Sequence, residues 1–165
     1  MKSDKDLFFE CYELFGNEFK PDKHPATRKL LKKSMRDMRI MEFTAKNKIL
    51  RARPRQLSSE LKPLKKMNSS SFASGHTLWA YLQAYIFSEL IPEKRKEFLD
   101  LAYKIGYSRE ILGVHYPSDE EASRILAHKM LTLMLENQDF QTDFYKAKKE
   151  WEVLNQNYLH KNKIN

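Results

Sequence analysis

A single cysteine, Cys11, occurs in 165 residues. It excludes an intrachain disulfide and any cysteine-based zinc site, and leaves the redox compartment open. Glycine and proline are also scarce, at four and six. Long segments contain neither, which favours helices over a sheet-rich fold. No apolar run reaches the length needed to span a bilayer. Met1 is followed by Lys-Ser-Asp-Lys-Asp, which lacks the apolar core of a signal peptide. None of the five histidines shows the paired spacing of zinc ligands, so His24, His128 and His160 read as surface or packing residues.

What is present is a foldable, basic chain. Hydrophobic residues make up 41% and aromatics 12%, enough for a real core, and the length suits one domain over residues 1–165. Thirty Lys and Arg against 22 Asp and Glu give a net charge of +8. Such a surface attracts anions of several kinds: nucleic acid, acidic membrane, phosphorylated metabolites. A basic helical nucleic-acid-binding module is one reading. The basic residues are, however, spread over several helices with no groove-reading motif or stacking platform, so no specific nucleic-acid binding is expected.

Periodicity predicts an all-α bundle. Leu7, Phe8, Cys11 and Phe15 mark a first helix over Asp4–Phe15, with Gly16 as its stop. Leu31, Met35, Met38, Ala45 and Ile49 trace a stripe on a long helix or two in sequence, ending near Arg53 ahead of Pro54. Arg55 to Ser71 reads as a surface loop with one helical turn. Leu78, Leu82, Tyr85 and Ile86 predict a helix over Thr77–Leu90, paired with one that begins at Pro92 and carries Phe98, Leu101, Ala102 and Ile105. The helix after Pro117 carries Ala122, Ile125, Leu126, Met130, Leu133 and Met134. The last carries Phe140, Phe144, Ala147, Trp151, Leu154 and Tyr158, as core or as a dimer surface. The tail after His160 is expected to fray.

Three stretches carry chemistry. In Tyr107–Asp119, Pro117 suits the first position of a helix and disfavours a helical Tyr116, so Asp119 falls in the first turn. From there its carboxylate can reach back to His115. An aspartate on one ring nitrogen fixes the tautomer and leaves the other nitrogen a lone pair able to attack. The plainer reading is a structural hydrogen bond. Lys46 and Arg53, seven residues apart, would project from nearly the same helix face, as an anion clamp or as part of a solvated basic face with Lys32, Lys33, Lys48 and Arg51. Ser74 and Gly75 at a helix start would leave backbone N–H groups pointing at an anion, with His76 beside them. The alternative is an N-cap followed by a surface histidine.

Taken together, K-x6-R-P from Lys46 to Pro54, S-G-H from Ser74 to His76, and S-R-x5-H-x3-D from Ser108 to Asp119 resemble the three-part signature of the type-2 phosphatidic-acid phosphatase superfamily. That superfamily includes lipid phosphatases, vanadium haloperoxidases and soluble acid phosphatases. Gly113–Ala127, reading GVHYPSDEEASRILA, and Thr44–Pro54, reading TAKNKILRARP, are most similar to class A bacterial non-specific acid phosphatases. The resemblance extends from about Leu7 to Trp151. Ala73 stands where that family usually has proline, and the front segment is shorter than in its mature members.

The resemblance implies a single-domain helical bundle that hydrolyses phosphate monoesters. It assigns His115 as nucleophile, Asp119 as the residue holding its ring, and His76 as general acid and then base. Lys46, Arg53, Ser74, Gly75 and Arg109 would hold the phosphate. It implies no metal and no other cofactor, a small-molecule partner, a homodimer, and a periplasmic or secreted location once a leader is removed; without a leader the cytoplasm stays open. Within the same fold it also leaves a vanadate-dependent haloperoxidase or an inactive phosphate-binding relative as readings. A membrane lipid phosphatase is disfavoured by the lack of spanning segments.

Overall fold

The computed structural model describes residues 21–161. The helix expected over Asp4–Phe15 lies outside them. The long helix α1 spans Pro25–Ile49, α2 is the short turn Pro54–Leu57, α3 is Gly75–Leu90, α4 is Arg95–Ile111, α5 is Pro117–Glu136 and α6 is Gln138–Lys161. Short 3-10 turns, Pro21–Lys23 and Pro92–Lys94, precede α1 and α4. The described residues form no strand, so they are all-α as expected. None of their helices is long and apolar enough to cross a membrane.

Helix α3 is the axis of the bundle. Leu78, Ala80, Leu82, Ala84, Ile86 and Phe87 are fully buried, so the helix is apolar nearly all round, as a central element must be. Helices α4 and α5 pack on it, and the pair α1 and α6 closes the remaining side. Phe87 and Phe98 stack across α3 and α4 at 5.3 Å. The start of α1 is fixed by α6. Glu150 accepts the Ala26 and Thr27 N–H groups at 2.7 and 2.9 Å, which would otherwise be orphans of the first turn. Trp151 donates to the Thr27 hydroxyl and stacks on His24, and Asp143 pairs with Lys29 and Lys33.

Two expectations are corrected, and a third is narrowed. Helix α1 stops at Ile49, because Leu50 turns left-handed (φ 49°) with its N–H on the Lys46 carbonyl. Ile49 is therefore exposed and not part of the buried stripe. Helix α5 buries Asp119, Glu120, Ser123, Ala127, Met130 and Leu131, whereas Ile125 and Leu133 face outward. Its polar first turns point inward, which rotates the buried face away from the one its apolar residues suggest. On α6, Phe140 and Phe144 are partly buried against the core and Ala147 and Trp151 lie in it, so this part of the stripe packs on the bundle. The side chains of Leu154 and Tyr158 lie outside those described.

Candidate active site

The approach to His115 is set by Gly113, which adopts φ 68°. Glycine carries no Cβ penalty there. A Cβ would also stand 3.3 Å from Pro63 Cα, where the loop after α2 crosses, tied by the Leu64 N–H to the Leu112 carbonyl at 3.0 Å. Pro117 then opens α5, and Tyr116 stays extended (φ −92°, ψ 154°).

Asp119, in the first turn of α5, has no exposed surface. Its Oδ2 accepts the Tyr116 N–H at 3.1 Å and the Ser71 hydroxyl, and faces His115 Nδ1 at 3.4 Å. Its Oδ1 accepts from Arg51 Nη1 at 2.6 Å. Burial alone would raise this carboxyl, but the bonds from His115, Ser71 and Tyr116 together with the Arg51 charge outweigh it and hold the group at about 2.

His115 lies between Asp119 and Arg53, whose Nη1 is 3.3 Å from Nε2. The aspartate can only accept and the guanidinium can only donate. The ring therefore fits as the neutral tautomer, with hydrogen on Nδ1 and a lone pair on Nε2. Its titration agrees in direction. Burial pushes His115 below the ordinary imidazole value, the bond to Asp119 opposes this, and the Arg53 charge adds to the burial effect.

Lys46 and Arg53 do not share a helix face. Arg53 lies beyond the end of α1 and caps α2. They converge through the 69–73 loop instead. Lys46 Nζ donates to the carbonyls of Ser70 and Ala73 at 3.0 and 2.6 Å. Arg53 donates to the carbonyls of Ser69, Ser70 and Val114 at 2.7, 3.2 and 2.6 Å. The Ser71 N–H closes the crossing on the Arg51 carbonyl at 2.8 Å. Burial lowers the Lys46 ammonium from its ordinary value, Glu42 opposes that and Arg53 reinforces it.

Ser74 caps α3 and is completely buried. Its N–H is already donated, to Ser123 Oγ at 2.9 Å, and its hydroxyl bonds Thr77 Oγ1 at 3.0 Å. Thr77 in turn shares a short hydrogen bond with Glu120 Oε2, while Glu120 Oε1 is buried without a partner among the described residues. Burial raises the Glu120 carboxyl from 4.5 to about 8, with Asp119 and Glu110 adding to it and the Ser74 bond opposing. A raised carboxyl favours the native state fully below the ordinary 4.5, and this advantage is lost as pH rises toward about 8. Glu120→Gln should therefore be more stable than the parent protein at pH 8, by on the order of 3 kcal/mol, with the gain shrinking toward pH 5. Thermal denaturation at the two pH values checks this; an equal difference at both would contradict it.

His76 is half-buried in the first turn of α3. Arg109, in the last turn of α4, folds back on the Ser108 hydroxyl at 3.0 and 2.8 Å and does not bond the His115 cluster. The structure thus gathers Lys46, Arg53, His115 and Asp119 around one loop and sets Ser74 and Gly75 at the adjoining helix start, while the Arg109 side chain bonds Ser108 and Arg109 meets the cluster only through its carbonyl, which accepts the Val114 N–H at 3.2 Å.

Residues 38–143, more than half of the chain, match the PAP2 superfamily. The chain belongs to that superfamily. It is similar to a non-specific acid phosphatase of Providencia stuartii, 32% identical over 148 residues that cover 86% of this chain and 60% of the relative. An acid phosphatase of Zymomonas mobilis is 35% identical over 82 residues, covering 50% of this chain and 31% of that protein. The chain thus spans 60% or less of the length of these curated relatives. Among solved structures, a transmembrane PAP2 type phosphatidylglycerolphosphate phosphatase from Bacillus subtilis superposes with a TM-score of 0.52 at 23% identity, over 79% of this chain and 64% of that one, a likeness of fold.

Several residues that hold this cluster together are not singled out by the sequence. Arg51 counts there only as part of a basic face, yet it binds Asp119 and lies over the Tyr116 ring at 4.3 Å. Ser69, Ser70 and Ser71 read as loop residues, and all three bond site side chains. Glu42 and Thr77 carry no motif signal, and Glu120 and Ser123 lie within the Gly113–Ala127 stretch without being singled out in it. The one hint was the density of hydroxyl residues just before Ser74.

Proposed function

We propose that this chain is a metal-independent acid phosphatase that hydrolyses phosphate monoesters through a phosphohistidine intermediate. The observation that carries the reading is His115 itself: a buried imidazole with Nδ1 3.4 Å from Asp119 and Nε2 3.3 Å from the Arg53 guanidinium, an arrangement that fits the neutral tautomer with its lone pair on Nε2. Nε2 attacks phosphorus in line, forming the N–P bond as the ester P–O bond breaks, and His76 gives its proton to the departing oxygen. Water then attacks the phosphohistidine, His76 takes the water proton, and phosphate leaves with the ring neutral again. Lys46, Arg53 and Arg109, with the Ser74 hydroxyl and the Gly75 N–H, stabilise the charge on the three equatorial oxygens. These cations do the work of a metal ion, so the proposed mechanism needs none. For this, Arg53 must turn from His115 Nε2 to the phosphoryl oxygens, Arg109 must swing in from Ser108, and the Ser74 hydroxyl must turn from Thr77 Oγ1. The names of the curated relatives, acid phosphatases, support the same substrate chemistry.

The division of labour dictates a bell-shaped pH profile. His115 must be neutral, and its lowered value shifts the acidic limb below that of an ordinary imidazole. His76 must start as the cation, which sets the other limb. Hydrolysis of p-nitrophenyl phosphate should peak on the acid side of neutrality, at about pH 5 to 6, and survive a chelator. Flat activity from about pH 5 to 9, or loss of turnover on chelation, would contradict the reading.

A further inference from the structure

Glu42 lies one helical turn before Lys46 on α1 and is buried. Its Oε2 accepts from Arg39 Nη1 at 2.9 Å, and its Oε1 is 4.0 Å from Lys46 Nζ. The carboxylate rests on the bare face of Gly75. A Cβ built there would fall 2.1 Å from Oε1, 2.5 Å from Cδ and 2.9 Å from Oε2, so any other residue would require the carboxylate to leave. Gly75 begins α3, whose first-turn N–H groups form the positive end of the helix. A negative, planar pair of oxygens thus lies where a buried ammonium and a helix start meet. Lys46 and the Gly75 N–H are groups to which the proposed function gives phosphoryl oxygens.

Two anions cannot share that space. We propose that Glu42 is an internal anion seated in the phosphate cradle, and that substrate binds by displacing its carboxylate. The inference rests on the proposed function. Glu42 neutralises Lys46 while the cradle holds no ligand, which lets a buried ammonium persist. Its exit is prepared by Arg39, whose side chain is 56% exposed, so the ion pair can swing toward solvent intact. Affinity for an oxyanion is then the intrinsic affinity reduced by the fraction of molecules in which Glu42 has left.

Inorganic phosphate binding measured by calorimetry tests this on the wild-type chain, Glu42→Gln and Glu42→Ala. Both substitutions should tighten phosphate about tenfold, and KM for p-nitrophenyl phosphate should fall by the same factor with little change in kcat. Without ligand both variants should melt lower than wild type, because Lys46 has lost its partner, and phosphate should raise their melting temperature by more than it raises that of wild type. A strut with no place in the cradle would lower the melting temperature and leave phosphate affinity unchanged. Unchanged or weaker binding in a folded variant, with wild type binding normally, overturns the displacement alone. Failure of wild type and variants alike to bind phosphate overturns the proposed function as well. Glu42→Gln keeps the side-chain volume, and Glu42→Ala removes the carboxylate by a different route, so a folding defect in one leaves the other to decide.

Discussion

His115→Ala lowers hydrolysis of p-nitrophenyl phosphate by at least about a thousandfold, while the protein stays folded. The loss is large because the substitution removes the lone pair that forms the covalent intermediate, and the uncatalysed alternative is direct attack by water. Folding survives because Asp119, the residue most dependent on the ring, keeps its bonds from Arg51, Ser71 and the Tyr116 N–H. Steady-state rates with circular dichroism alongside make the comparison. A folded variant that keeps the wild-type rate would remove His115 from the chemistry and, with it, the phosphohistidine route.

Arg53→Ala is expected to fail on both counts: it abolishes turnover and costs about 4 kcal/mol of stability. Arg53 is 2% exposed, and its guanidinium donates to the Ser69, Ser70 and Val114 carbonyls. Truncation takes their donor from the Ser69 and Val114 carbonyls, at about 1 to 3 kcal/mol for each that stays buried, leaves the Ser70 carbonyl with Lys46 alone, and loosens the loop that also seats Lys46. Arg53→Lys should recover only part of this, since an ammonium on a flexible stem cannot span three acceptors that a planar fork reaches together. Urea denaturation of both variants beside His115→Ala separates the two effects. His115→Ala loses rate with modest loss of stability, and Arg53→Ala loses both. A stable Arg53→Ala protein would mean that the 69–73 loop is held by other contacts.

The legible parts of the site are those fixed by short sequence distance. His115 and Asp119 meet because Pro117 forces the helix to begin between them, and a first-turn carboxylate has little choice but to reach back. Gly75 at the start of a helix was readable for the same reason, although α3 begins two residues earlier than the Thr77 that periodicity indicates. Lys46 and Arg53 do meet, but not through a shared helix face. A heptad spacing puts two side chains on one face only while the helix lasts, and α1 ends at Ile49. What unites them is Ser70, some twenty residues further on, whose carbonyl accepts from both.

The sequence by itself determined the all-α architecture, most helix boundaries and the local pairing of histidine with aspartate, because apolar periodicity, prolines and first-turn geometry act within a few residues. Only the tertiary structure decided that Arg51 would bind Asp119, that Arg53 would hold a loop together, that Glu120 would be buried beside Thr77 and that Glu42 would lie on Gly75. These contacts depend on how four helices and a crossing loop are packed. A charged side chain that looks solvated in the sequence becomes a buried partner once another segment removes its water, and no local pattern records which segment that will be.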